Sequence, residues 1–240
     1  RPCAAGRGED QADQPAAAET DDSLDAFIAR RAADLTAYQN AAYAKRYTDL
    51  IGRIGDTESE KTPGRTDLTE VAAKALYKLM AYKDEYEVAR LYTDGRFEAK
   101  LRDQFDAGAK LRSIWRRPLA ERDPGTGRLR KTEYGPWVFT AFRLLAGLKG
   151  LRGTAFDIFG RSEERRAERR LIAEYITTLE TLMTGLSDAN HEIATDIARL
   201  PMSIRGFGHV KEANMATAVS RHESLMETFK NGGAEKTAAE

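Results

Sequence analysis

The sequence predicts a mainly α fold, a multi-helix domain with long amphipathic helices and one small β-hairpin insertion. Three observations predict it. Apolar residues recur at helical spacing over most of the chain. Charged residues make up 32% and aromatics only 8%, a balance that suits surface-rich helices rather than a sandwich. One segment alone switches to a period of two, around a strong turn signal. At 240 residues the chain buries a substantial core, as one large or two small domains. The formal charge is zero, so whole-molecule charge steers no partner. A single cysteine, Cys3, excludes a disulfide framework and a cysteine-held iron–sulfur cluster within the chain. No apolar run approaches the roughly 18 residues of a membrane span, and no signal peptide is visible. The chain opens on Arg rather than Met, as expected of one domain of something larger.

Residues 1–22 are rich in Ala, Gly, Gln and acids, with no apolar period. They read as a disordered tail or linker, in which Cys3 is free and inert. A helical domain is expected over 23–230. Asp22-Ser23 is an N-cap signal, with Asp25 in the first turn. Leu24, Phe27, Ile28, Leu35, Tyr38 and Ala42 share a face, and Tyr43, Tyr47, Leu50, Ile51 and Ile54 continue it. This predicts one helix of about thirty residues ending near Gly52–Gly55. A polar loop, Asp56 to Thr66, is expected next. A tyrosine stripe at helical spacing is read as core rather than as a base-stacking surface.

Asp67-Leu68-Thr69-Glu70 opens what reads as the central helix, running to Asp94-Gly95. Leu68, Ala72, Leu76, Leu79, Tyr82 and Tyr86 form its buried face. Lys83–Glu87 and Glu87–Arg90 have the spacing of surface ion pairs. Asp84, Glu85 and Glu87 are read as a structural salt-bridge network and not as metal ligands, because the Glu-x-x-His spacing of di-iron helices is missing. No metal site is expected. A short helix from Arg96 to Phe105 follows.

Lys110 to Trp115 and Arg128 to Tyr134 alternate with period two around Asp123-Pro-Gly-Thr-Gly127, which predicts a hairpin arm over about 110–134. Residues 110–152 carry eleven Lys/Arg against three acids. Trp115, Tyr134 and Trp137 are interleaved with that charge. Arg112, Arg116, Arg117, Arg130 and Lys131 are the candidate partner-binding residues. Phosphates with stacked bases or an acidic protein would fit them. So would simple balance by acidic helices packed nearby. No HTH, RRM or zinc signature speaks for nucleic acid.

Trp137 to Leu148 reads as a helix with Val138, Phe142 and Leu145 inward, followed by a loop over Gly150–Gly153 and an aromatic connector at Phe156–Gly160. Ser162-Glu163-Glu164 caps a helix whose Ile172, Tyr175, Leu179, Leu182 and Met183 give the cleanest amphipathic period in the chain. Ser187-Asp188 is read as the cap of a further helix, Ala189 to Leu200, stopped by Pro201. Arg205-Gly206-Phe207-Gly208-His209 then opens a last helix to about Lys230, and 231–240 reads as a frayed tail. Two glycines beside Arg205 and His209 at a helix start offer an anion site, with Arg205, Gly206, Gly208 and His209 as candidates. The competing reading has Phe207 plugging the core while the glycines only permit the turn. His222 reads as a core-edge histidine.

Five strings carry a resemblance that covers most of 24–230. They are Leu35 to Tyr43, the stretch Met80 to Gly95, Glu133-Tyr-Gly-Pro-Trp137, Leu144 to Thr154 with Asp157 and Phe159-Gly-Arg161, and Ile204 to Asn214. In order and spacing they resemble the C-terminal helical region of the large, fused indolepyruvate ferredoxin oxidoreductases, which are thiamine-pyrophosphate-dependent 2-oxoacid oxidoreductases. The resemblance implies an accessory domain of a cytoplasmic enzyme that oxidatively decarboxylates aryl 2-oxoacids. It implies other oxidoreductase domains or subunits as partners, with ferredoxin the acidic candidate for the basic arm. Thiamine pyrophosphate, magnesium and a four-iron cluster would lie in other domains. No catalytic residue carries over, and no cofactor is assigned to this chain. The competing reading is an independent helical binding module that uses the basic aromatic hairpin to dock an acidic protein or nucleic acid.

Overall fold

The computed structural model describes residues 23–95, 99, 113–116, 131–134, 137–204 and 209–232. The fold is mainly helical. In order, the helices are α1 (Leu24–Tyr38), α2 (Ala41–Lys61), α3 (Asp67–Met80), α4 (Glu85–Thr93), α5 (Trp137–Gly147), α6 (Glu163–Gly185), α7 (His191–Arg199) and α8 (His209–Lys230). Short 3-10 turns lie at Leu148–Leu151, Phe159–Arg161 and Leu200–Ser203. Between α4 and α5, β1 (Ser113–Arg116) pairs antiparallel with β2 (Lys131–Tyr134), Arg116 standing opposite Lys131.

α3 is the hub, packing against α1, α2, α6 and α7. Its Leu68, Ala72, Ala73, Ala75, Leu76 and Met80 are buried. Small alanines let neighbouring helices approach closely, and Tyr47, Ile51 and Ile54 of α2 and Leu179 and Leu182 of α6 fill the space above them. A second, small cluster joins α4 to α5 through Ala89, Val138 and Phe142, with Tyr92 and Leu145 against it.

Two helices are broken where the sequence reads as continuous. α1 ends at Tyr38, and Asn40 starts α2 by accepting from the Tyr43 N–H at 2.8 Å. The break holds because the last carbonyls of α1 bond elsewhere. Lys149 Nζ donates to Ala37 O, and Arg152 Nη1 to Tyr38 O, both at 2.6 Å. The central helix is likewise two, α3 and α4. Asp84 caps α4 through the Glu87 N–H at 2.8 Å. The hydroxyls of Tyr43 and Tyr38 donate to Met80 O and Tyr82 O, each at 3.0 Å, and close the end of α3. Lys83 therefore lies outside α4 and the expected i, i+4 pair does not arise, while Arg90 grips Glu87 at 2.7 Å.

α2 runs on to Lys61, through the residues expected to form a polar loop. α7 starts at His191 after Asn190, not after a Ser187 cap. Instead the Asn190 side chain accepts from Ser187 N–H and donates to Gly185 O. Ser162 caps α6 through the Arg165 N–H. Apart from Ala99, the short helix expected over 96–105 lies outside the described residues, as do the tails 1–22 and 233–240.

Candidate functional site

Arg152 sits where α1, α3, α4 and the 148–161 turns meet. Its side chain is buried, and so is that of Asp84. Nε donates to Asp84 Oδ2 at 2.5 Å and Nη2 to Asp84 Oδ1 at 2.8 Å, a bidentate fork on a planar carboxylate. Nη1 takes the Tyr38 carbonyl. The guanidinium also lies 3.7 Å from the centre of the Tyr38 ring and 5.6 Å from that of Tyr86, within the range of cation–π attraction. Asp84 thus accepts from an arginine and from a helix N-terminus at once.

A second carboxylate extends the junction. Asp157 Oδ1 accepts from Gly160 N–H at 2.8 Å and from Tyr86 Oη at 3.3 Å, and Oδ2 accepts from Gly153 N–H at 2.8 Å. Arg169 reaches in from α6, donating to Gly160 O at 2.5 Å and lying 3.8 Å from Asp157 Oδ2. Gly160 has no room for a side chain, since a Cβ there would lie 2.1 Å from Asp157 Oδ2. Gly153 takes a positive φ of 78° that turns the chain back onto Asp157. Beside them Arg165 pairs with Glu168 at 2.7 Å and Glu85 at 3.5 Å.

The electrostatics are those of a lock. Burial lowers the Arg152 pKa, but the Asp84 hydrogen bonds and the neighbouring Tyr38 outweigh it, and the guanidinium is held more firmly charged than usual. Burial raises the hydroxyls of Tyr38 and Tyr43 well above the ordinary tyrosine range. Tyr86 is pushed up to about 12, by burial first and then by Asp157. Neutral tyrosines that donate to carbonyls and carboxylates fix helix ends; they do not act as bases at neutral pH.

A second buried junction joins α2, α3 and α7. The N-cap residue of α3, Thr66, makes no side-chain capping bond. Glu58 of α2 does that work from outside. Its carboxylate accepts from Leu68 N–H and Thr69 N–H, each at 2.9 Å, and from the Thr69 hydroxyl at 2.5 Å. His191, the first residue of α7, bonds it through Nε2 at 2.7 Å. Burial pushes the Glu58 carboxyl up, but the bonds from Thr69, His191 and Leu68 prevail and leave it below its usual value. A charged carboxylate at a helix N-terminus is also favoured by the helix dipole.

Neither junction, among the described residues, draws on the sequence-predicted site residues. Arg112, Arg117 and Arg130 lie outside the described residues, as do Arg205, Gly206 and Gly208. Arg116 and Lys131 are placed only as opposing positions of the β ladder, and His209 as the first residue of α8. His222 bonds Thr178 of α6 through Nε2 at 3.3 Å. Within Asp84, Glu85 and Glu87 the ion-pair reading is right, with Arg152, Arg165 and Arg90 as partners. Sequence reading missed Glu58, His191 and the anchoring part of Arg152. For Glu58 a signal existed, because it continues the Tyr47, Ile51, Ile54 face at helical spacing and so had to point inward. Arg152 has no periodic neighbours and gave none.

The chain belongs to a family of unknown function (DUF6537), whose profile matches residues 24–224. No curated protein and no solved structure matches it.

Proposed function

We propose that this family member is an accessory, non-catalytic domain of an indolepyruvate (aryl 2-oxoacid) ferredoxin oxidoreductase, working in the cytoplasm beside domains that hold the chemistry. Thiamine pyrophosphate, magnesium and the four-iron cluster belong to those other domains, and ferredoxin is the acceptor that would dock near the basic arm. Two things support the reading. The strings that carry the resemblance supply the Arg152 junction, with Tyr38, Asp84, Tyr86, Arg152, Asp157 and Gly160 drawn from three of them.

The observation that carries it is an apolar surface. Trp137, Leu144 and Leu148 recur at helical spacing along α5 and the turn after it. They are 63%, 71% and 49% exposed, and Phe156 and Ile158 in the next turns are 76% and 68% exposed. Large apolar residues concentrated in so short a stretch mark a surface made to be covered. An accessory domain covers it against the rest of its enzyme.

Co-expression with the thiamine-binding and iron–sulfur parts of the oxidoreductase tests this. The chain should co-purify with them, and a Trp137→Gln, Leu144→Gln double variant should not. The pure chain, given cofactors and 2-oxoacid, should leave viologen oxidised. Turnover by the chain alone, or failure to associate, overturns the reading. Among the described residues no helix is long and apolar enough to cross a membrane.

The register Arg116 opposite Lys131 keeps a second reading in play, because it places two cationic positions face to face on the arm. There the arm docks an acidic protein or nucleic acid independently of any oxidoreductase. Binding of that kind should weaken steeply with salt.

A further inference from the structure

α8 meets the body of the molecule unevenly. Near its C-terminal end Phe229 is buried and rests on Gly185 of α6, so closely that a Cβ there would lie 3.0 Å from the ring. Leu225 and Met226 pack on the main core. Further up the same helix the apolar stripe continues through Val219 and Met215, and α8 as a whole packs on α7 and the Leu200–Ser203 turn. A cleft of about 310 Å³ lies between α6 and α8. Leu171 and Tyr175 of α6 form one wall, Met215, Ala218 and Val219 of α8 the other, and Leu79 and Ile197 belong to the lining. The volume falls at the lower end of small-molecule sites.

The polar groups among the described lining residues are few. Glu174 and Glu223 line it, Arg170 lies 3.9 Å from Glu174 one turn away on the same helix, and none of the described lining residues is Lys or Arg. The Thr178 hydroxyl donates to Glu174 O at 3.0 Å. With its proton committed there, the Thr178 oxygen accepts from His222 Nε2 at 3.3 Å. Burial first, opposed by Glu223, holds the imidazole below its ordinary pKa and hence neutral at pH 7. A neutral ring that donates from Nε2 has an unprotonated Nδ1, which is an acceptor. The cleft therefore combines apolar walls, one acceptor nitrogen and two carboxylates.

We infer that the α6–α8 cleft binds a small apolar molecule bearing a hydrogen-bond donor, neutral or cationic, of the arylalkylamine class. The apolar walls take the ring, His222 Nδ1 accepts from the donor, and Glu174 and Glu223 favour a positive charge over a negative one. This site is independent of the α5 surface and of any oxidoreductase partner.

The test is a titration of the full chain, followed by heteronuclear NMR, with phenethylamine and with phenylacetate, two probes of similar size and opposite charge. Phenethylamine should give saturable shifts confined to cleft residues, and phenylacetate should bind at least about threefold more weakly, the scale of exposed charge pairs. Val219→Trp, at a half-exposed position, should fill the cleft and abolish the shifts. His222→Leu should weaken the amine by about fivefold, the worth of one hydrogen bond. Glu223→Gln should narrow the preference for the amine while leaving the apolar walls intact, and it decides the matter if the tryptophan variant does not fold. Equal binding of both probes, shifts that persist in Val219→Trp, or no saturable binding would each overturn the inference.

Discussion

Leu76 of α3 and Val138 of α5 are both buried aliphatic residues, yet their surroundings differ. Leu76 sits in a cluster that draws on α1, α2, α3, α6, α7 and α8. Among the described residues Val138 has Ala89, Phe142 and a few half-covered neighbours from α4 and α5. The large cluster is bounded by buried polar locks whose partners come from distant parts of the chain. The small one opens onto Trp137, Leu144 and Leu148, which face solvent. The difference is one of enclosure among the described residues, and the Arg152 junction lies between the two clusters. It is the seam by which the 148–161 turns tie α5 to the main body.

The strongest way to break that seam is Arg152→Met, which strands the buried Asp84 carboxylate. It should cost about 3–5 kcal/mol in urea unfolding. Arg152→Lys should recover only part of that loss, because an ammonium lacks the planar fork.

The contrast between clusters is sharpened by truncating one residue in each. Leu179→Ala, in the enclosed core, should cost about 2–5 kcal/mol, whereas Val138→Ala should cost less than about 2 kcal/mol, because fewer atoms are removed and its cluster among the described residues is small. Equal losses by urea melts would mean that the α4–α5 cluster is as well enclosed as the main core.

The Glu58 junction gives a pH test. Its folded pKa lies below the ordinary value of 4.5, so its stabilisation is complete above that value and is lost as pH falls through the folded pKa. Glu58→Gln should be less stable than the parent by about 1–3 kcal/mol at pH 7. The gap in melting temperature should close as pH is lowered from 5 towards 3. A gap that stayed constant would show that the carboxylate charge does not matter there.

The smallest effect on stability belongs to the exposed ridge. Leu144→Gln should change unfolding free energy by no more than about 0.5 kcal/mol while weakening association with the oxidoreductase partner proposed above. A large loss of stability would show that the ridge is folded against the chain itself.

Local signals decided much of the architecture. Period-3.6 stripes placed the inward residues of α2, α3 and α6, and Ser23 and Ser162 announced helix starts that their side chains do cap. These are readable because an amphipathic stripe and an N-cap involve residues within a turn of one another. What the sequence left undecided were the ends set from afar. The apolar stripe drifts through Asn40 unbroken, and it is Lys149 and Arg152, more than a hundred residues on, that bond the carbonyls ending α1. The α3–α4 break depends in the same way on Tyr38, Tyr43 and Arg152. The start of α3 depends on Glu58 and His191, which are 133 positions apart.

Charge counting saw a basic excess over 110–152. It could not tell that Lys149 and Arg152 are committed inside the fold, because formal charge is additive along a chain while its neutralisation is a matter of which carbonyl or carboxylate lies within 3 Å. Which way the apolar stripes of the helices face was therefore a property of the sequence. Where they stop, and which charges remain for a partner, was decided by tertiary contacts, because a buried carbonyl or carboxylate accepts whichever donor the fold brings to it.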